Sequence, residues 1–430
     1  PLGRWTLVAE HAAQRREVDV VSQRFAPGRL ATTYRLQADD RSRRDRLSLG
    51  AGWDAPHAGL ERVDALIYGQ HSRVRQDTAQ FRLPDRATPF ESLRQRRFEF
   101  AQRDLGLDLV AQSRFEAAGA RHWLVYGLEL ARTRYEGVRD GVEVNLATGA
   151  SSPVILGERM PVRDFPHSVA TRAALFVQDE VGLGRWALVP ALRWERYRLD
   201  ARPDALFVED YPDIATVDVG STSLTPRLGL RFAATPRSHL FAQYAEGFRA
   251  PPFGDVNIGL FLPAFNYEVR ANPALRPERS RGLEAGWRWQ GEAVQASVSA
   301  YANRYRDLIE SRANLGVDPD SGALVFQSVN RGRARISGFE AEVGVVHGIS
   351  RFWQTPAFPR GAGPDFVNAC ACLESAQPPE QILTSLHRIE AALGKPVISS
   401  NQALGWAMLR AAGLPARGPG RLFTQGVPAG

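Results

Sequence analysis

Hydrophobic and polar positions alternate with a period of two along much of the chain. Leu124, Tyr126, Leu128 and Leu130 interleave with Val125, Gly127, Glu129 and Ala131, and Leu224, Leu228, Leu230 and Phe232 interleave with Thr225, Arg227, Gly229 and Arg231. Such alternation predicts strands, because successive side chains of an extended chain point to opposite faces. The cleanest case sets Val294, Ala296, Val298, Ala300 and Ala302 against Gln295, Ser297, Ser299, Tyr301 and Asn303. Before Arg121 the pattern is less regular, although Leu47, Leu49, Ala51 and Trp53, and Leu105, Leu107 and Leu109, still alternate. One apolar and one wet face suits a soluble sandwich as well as a membrane barrel, so alternation leaves both open.

The connections favour the barrel. From Arg121 onward, short turns are expected near 181–185, 234–238 and 290–292, and long polar connections at 136–166, 199–222, 250–280 and 306–330. Outer-membrane barrels have this asymmetry, with short periplasmic turns and long extracellular loops. Segments such as 224–233 and 281–290 have the length that a tilted strand needs to cross a bilayer. Trp186, Trp194, Tyr197, Trp287, Trp289 and Tyr301 fall near predicted strand ends, where a membrane interface holds aromatic rings. The fold class expected for 1–343 is mainly β, a partial antiparallel outer-membrane β-barrel with room for about 14 strands.

Composition narrows the partners. The 54 basic residues exceed the 47 acidic ones by a net charge of +7, and Lys395 is the only lysine. With acids nearly as numerous and no dense basic block, a nucleic-acid partner is not expected. Cys370 and Cys372 are the only cysteines, which rules out a disulfide scaffold, and no apolar run is long enough for a membrane-spanning helix. His57, His71, His122, His167 and His239 show no metal-ligand spacing, so no metal site is expected. The chain opens on Pro1, and Met160 and Met408 are its only methionines, so a fragment is expected.

Phe248-Arg249-Ala250-Pro251, followed by Asn272-Pro273-Ala274-Leu275-Arg276-Pro277-Glu278 and then Gly282-Leu283-Glu284-Ala285-Gly286, resembles the F-R-A-P and N-P-x-L boxes of TonB-dependent outer-membrane receptors, particularly the haem and haemoglobin branch. The likeness continues through Asn303–Ile309 and Asn330–Ala334. It implies a receptor in the outer membrane of a Gram-negative bacterium, contacting outer-membrane lipid and, when intact, the TonB complex. Its ligand would be haem, haemoglobin or another iron-bearing compound, with haem as transported cargo and no resident cofactor. The family also has a plug domain, an energy-coupling box and about 22 strands, and the first two are not found in this sequence. The prolines and the Arg249 and Glu278 pair have a second reading, in which they stiffen and organise the base of a loop. Haem needs an axial imidazole or phenolate. Residues 252–271 hold no histidine, which leaves Tyr267 as the ligand candidate there, against a reading in which its ring packs inside the loop.

From about residue 344 the alternation stops. Ile382, Leu383, Leu386, Ile389 and Leu393 recur at helical spacing between Pro378-Pro379 and Gly394, predicting an amphipathic helix over 379–393. Ser350–Phe358, Pro364–Ala369 and Leu386–Glu390 are similar to hydroxymethyldihydropterin pyrophosphokinase, an enzyme of folate synthesis. That resemblance implies a small α+β, ferredoxin-like fragment over 344–394. In it Thr355, Pro356 and Phe358 would contact the pterin, Phe366 would stack on it, and Asn368 would bond its polar edge. The other reading makes Phe366 strand core and Asn368 a turn residue. The enzyme would use ATP and magnesium in the cytoplasm, but 395–430 contains no Asp or Glu to hold the metal. The segment is therefore expected to be inactive, with no catalytic residue assigned. The acid-free 395–430 tail is expected to be unstructured or a frame-shifted reading.

Overall fold

The computed structural model describes residues 3–57, 59–291 and 294–345. All of them belong to the first of two units, Pro1–Val346. Among these residues twelve long strands follow one another: β1 (Arg4–Asp19), β2 (Thr33–His57), β3 (Leu60–Arg82), β4 (Ser92–Ala117), β5 (Ala120–Asn145) and β6 (His167–Leu183) form the first half. The second half is β7 (Trp186–Arg202), β8 (Val219–Thr235), β9 (Ser238–Arg249), β10 (Glu278–Gln290), β11 (Val294–Val317) and β12 (Leu324–Val345). Each pairs antiparallel with the next, in chain order, in one sheet. β12 also pairs in parallel with a short strand, Tyr267–Arg270.

The connections alternate in length along the whole described chain. Only two or three residues separate β2 from β3, β4 from β5, β6 from β7, β8 from β9 and β10 from β11, and long connections lie at 20–32, 83–91, 146–166, 203–218 and 250–277. The hairpin between β11 and β12 departs from expectation: 306–330 is mostly strand, with only 318–323 outside it. β5 likewise runs to Asn145, well into the connection expected at 136–166. Strands of up to 26 residues leave room for twelve where about 14 were expected. The reason is that backbone pairing continues past the apolar part of each strand, where polar side chains occupy both faces and hydrophobic alternation fades.

Register settles which residues share a face, since directly opposed residues in an antiparallel pair lie on the same side. One row runs Leu7, Leu49, Ile67, Leu107, Leu130 and Ala173 across β1 to β6. Another runs Leu183, Trp186, Phe232, Leu240, Trp287, Val298 and Ala341 across β6 to β12. Apolar side chains of this face lie open: Leu7 is 70% exposed, and Leu283 and Phe339, on the same face of β10 and β12, are 61% and 74% exposed. The other face carries Gln243, Glu284 and Tyr301 in one row. A sheet that exposes its apolar face and keeps the polar one inside has the polarity of a membrane barrel.

Toward the short turns, the T-shaped Trp5 and Trp53 pair, with rings 5.6 Å apart, together with Trp186, Phe232, Trp287 and Trp289, forms an aromatic girdle on the outer face. Two of the expected interface aromatics turn inward. Tyr197 is buried beside Ala170 and Leu199, and Tyr301 stands opposite Glu284. Each occupies the opposite parity from its outward neighbours Trp194 and Ala300, so the pleat directs it to the inner face.

Candidate functional site

At the long-connection ends, the inner face of β4 and β5 carries a run of arginines and aromatic rings. Arg94 stands opposite Glu143, Phe98 opposite Arg139, Phe100 opposite Gly137 and Gln102 opposite Tyr135. Segment 146–166 folds back over this patch. It comes so close that a Cβ on Gly141 would lie 2.6 Å from Ile155 Cδ1, and one on Gly137 would lie 2.7 Å from the Phe165 ring. Glycine is needed at both places for this approach. Ile155, Met160 and Val162 are buried there, and Arg139 anchors the segment through ion pairs to Glu158 at 2.7 Å and Asp164 at 2.8 Å. The Phe253 ring stacks on Tyr135 at 4.1 Å and meets Phe165 edge-on at 5.3 Å.

Segment 203–218 joins the same assembly. A short helix, Ala205–Asp210, is capped by Asp204, whose carboxylate accepts the Phe207 N–H at 3.1 Å. The Arg163 N–H donates to Asp210 at 2.7 Å, and burial holds that carboxyl above the usual carboxylate range. Burial likewise pushes the Tyr211 phenol up. Asn257, fully buried, accepts the Val217 N–H at 2.8 Å and donates to the Val217 carbonyl at 2.9 Å. The Arg29 guanidinium of connection 20–32 lies 3.7 Å over the Phe265 ring. The long connections thus form one packed roof above the inner face.

The two sequence boxes are brought together as fastenings of that roof. Phe248, next to the last residue of β9, lies on the outer face under the Arg279 guanidinium, 5.9 Å away. Arg249 pairs with the buried Glu278 at 3.3 Å, and Glu278 also accepts the Ile309 N–H at 2.6 Å. Ala250 packs on the Ala170, Tyr197 and Leu199 cluster, and Pro251 is fully buried. Asn272 donates to the Ser328 carbonyl at 2.8 Å, Pro273 lies exposed in the turn, and Leu275 is buried with Val256 and Ile309. Asn330 closes the junction, accepting the Arg276 N–H and donating to the Arg276 carbonyl, both at 2.8 Å. This arrangement matches the loop-base reading of Arg249 and Glu278. Tyr267 packs its ring on Phe326 at 5.0 Å, inside the roof.

Arg96 was not singled out from the sequence. It stands on the inner face between Arg94 and Phe98, opposite Gly141. It is half-buried, its Nε has no hydrogen-bond partner, and among the described residues it makes no ion pair. Arg94 and Arg82, by contrast, share Glu143 at 3.1 and 3.0 Å. A signal was available in Arg94, Arg96, Phe98 and Phe100, where alternate positions put two cations and two rings on one face. Thr355, Pro356, Phe358, Phe366 and Asn368 lie outside the described residues, as do the helix expected at 379–393 and the 395–430 tail.

Comparison with known proteins agrees with this geometry. A family model described as "TonB dependent receptor-like, beta-barrel" matches residues 10–365. The chain belongs to that family, whose members are outer-membrane proteins of Gram-negative bacteria. Among its relatives is the hemoglobin-haptoglobin utilization protein B of Neisseria meningitidis serogroup C, 30% identical over 128 residues, which are 26% of this chain and 15% of that protein. The vitamin B12 transporter BtuB of Vibrio vulnificus is 32% identical over 137 residues, 31% of this chain and 20% of that one. The metal-pseudopaline receptor CntO of Pseudomonas aeruginosa is 27% identical over 204 residues, 45% of this chain and 26% of that one. The chain therefore spans only a fraction of the length of these relatives. In fold it is similar to the copper transporter OprC, with a TM-score of 0.52 at 18% identity, covering 81% of this chain and 55% of that one. The receptor family model extends over Thr355, Pro356 and Phe358, and the comparisons lend no support to a pyrophosphokinase, to ATP and magnesium, or to a cytoplasmic enzyme.

Proposed function

We propose that the chain is part of an outer-membrane receptor that imports an anionic iron-bearing ligand, with haem or haemoglobin-derived haem as the first ligand and a ferric siderophore as the second. The observation that carries the reading is the unpaired Arg96 on the inner face beneath the loop roof, in a chain whose family forms receptor barrels. A half-desolvated guanidinium attracts carboxylate or catecholate oxygens strongly, because few waters compete for its donors. Haem propionates and siderophore chelating groups both supply such oxygens. Relatives named for haemoglobin, at 30% identity, favour haem, and relatives named as metal-pseudopaline and ferric enterobactin receptors support the second reading. Uptake in the intact receptor draws on the TonB complex, as the family name implies.

The test uses the receptor carrying this chain, expressed in a strain without its own haem and siderophore receptors, with haem, haemoglobin or a ferric catecholate as the sole iron source. Growth on haem that disappears without TonB is the expected outcome. Arg96→Gln is expected to cut uptake by about tenfold at equal outer-membrane abundance, the loss of one charge-assisted contact. Uptake unchanged in that variant would remove Arg96 from the site.

A further inference from the structure

Immediately on the long-connection side of the outer apolar band, β10, β11 and β12 present six arginines in two rows. The register places Arg281 beside Arg304 and Arg304 beside Arg335, then Arg279 beside Arg306 and Arg306 beside Arg333. The next row toward the short turns is Leu283, Ala302 and Ser337, on the same face. All six arginines are exposed. Arg281 pairs with Glu246 at 3.1 Å and Arg279 lies over the Phe248 ring, but Arg304, Arg306, Arg333 and Arg335 make no ion pair among the described residues.

Part of the same outer belt is neutralised elsewhere, although Arg103, Arg132, Arg134 and Arg196 also lie exposed on the outer face without an ion pair among the described residues. On β1 to β4, Arg15 pairs with Asp39 at 2.9 Å, Arg43 with Asp45 at 2.6 Å, Arg75 with Asp77 at 2.6 Å and Arg97 with Asp77 at 2.8 Å. Like charges directly opposed across strands destabilise a sheet. Six guanidiniums gathered in a grid on three neighbouring strands are therefore stabilised by an external anion that sits on them. Neighbouring strands lie about 4.8 Å apart and alternate residues about 7 Å apart along a strand, so the grid spans the width of one polar headgroup. The long connections mark the extracellular side, which sets the grid at the outer leaflet, with apolar side chains directly below it.

We propose that this face binds a phosphorylated glycolipid of the outer leaflet, the glucosamine phosphates of lipid A resting on Arg304, Arg306, Arg333 and Arg335 and the acyl chains on Leu283, Val298 and Phe339. Guanidinium forks engage phosphate oxygens bidentately, and the apolar row beneath supplies the complement for acyl chains. The proposal requires the outer-membrane placement of the barrel and is independent of which ligand is imported.

The test places the receptor carrying this chain in phosphatidylcholine vesicles containing lipid A and measures the lipid A retained per receptor after washing. Retention is expected to fall by about tenfold in Arg304→Gln/Arg306→Gln/Arg333→Gln/Arg335→Gln, the effect of losing even one strong charge-assisted contact. A control carrying Arg15→Gln, Arg43→Gln, Arg75→Gln and Arg97→Gln, which removes the same charge from paired positions, is expected to retain lipid A like the parent. Heat-dependent gel mobility reports folding, and Arg304→Gln/Arg335→Gln gives the same reading with less perturbation. Equal retention by grid variant and parent, equal retention of dephosphorylated lipid A, or displacement by inorganic phosphate at concentrations equal to the lipid would each overturn the proposal. Failure of haem uptake with lipid retention intact would instead count against the proposed ligand alone.

Discussion

Gly137 and Gly141 have negative φ and would be replaceable as far as the backbone is concerned; what excludes a side chain is the segment lying on them. A Cβ on Gly141 would also meet the Gln95 carbonyl at 2.6 Å, and neither backbone nor buried Ile155 can give way cheaply. Gly141→Ala is therefore expected to cost about 1–3 kcal/mol of local stability, the range for overpacking, read as faster protease cleavage within 146–166. Gly69, with nothing near its Cβ position, is the control and should tolerate alanine. At the hairpin tip, Asp318 accepts the Ser321 N–H at 2.9 Å and the Asp320 N–H at 3.1 Å and pairs with Arg270 at 2.7 Å. The Ser321 bond, first, and the Arg270 bond hold its carboxyl well below the usual carboxylate range. A carboxyl lowered on folding contributes stability that is present above its unfolded value and is lost as pH falls through the folded one. Proteolytic protection of 318–323 should then be the same at pH 7 and pH 5 and weaken only in strong acid, whereas Asp318→Asn should lose it at pH 7. Tyr267, packed on Phe326, is expected to leave the haem absorbance spectrum unchanged when replaced by Phe in the receptor; an altered Soret band would assign it as a ligand.

Between elements, the box residues act as tie points, and their replacements should differ in a predictable order. Removing Arg249 leaves Glu278 still accepting the Ile309 N–H, but removing Glu278 strands that buried donor. Glu278→Ala should therefore destabilise the roof by about 1–3 kcal/mol and Arg249→Ala by less, with hydrogen exchange rising at Ile309 and along 271–277. Exchange that rises equally in both variants would refute this order. The boxes were legible in the sequence as motifs, and a loop-base role as one of two readings, but their partners were not, because Asn272 reaches Ser328 and Asn330 reaches Arg276 across more than fifty residues. The apolar band was legible for a simpler reason: Val294 to Ala302 alternate because one face meets lipid and the other does not. Beyond the band both faces carry polar residues, so β4 from Arg94 to Gln102 shows no apolar lipid face to read, although alternate positions gather Arg94, Arg96, Phe98 and Phe100 and its backbone remains paired with β5. Arg96 and the arginine grid lie in that region, where only register brings residues from different strands together.

At the scale of the molecule, the twelve long strands among the described residues are little more than half of the about 22 in large outer-membrane transporters, in line with the 55% of the OprC chain that the likeness covers. Among the described residues β1 and β12 are not paired with each other. Each therefore offers a long row of backbone donors and acceptors, interrupted on β12 only where 324–327 pairs with Tyr267–Arg270. Hydrocarbon cannot satisfy such groups, and a closed barrel avoids the cost by having no edge. Residues 1–345 refolded by themselves in detergent are consequently expected to give edge-paired oligomers without the shift in gel mobility on heating that marks a closed barrel. Substituting proline at Ala9 and Ala341, in the two edge strands, should reduce that association, because proline removes a donor and resists pairing. A compact, heat-modifiable monomer from residues 1–345 would show that β1 and β12 close on each other, and would mean that the family fold tolerates a barrel of about half the usual strand number.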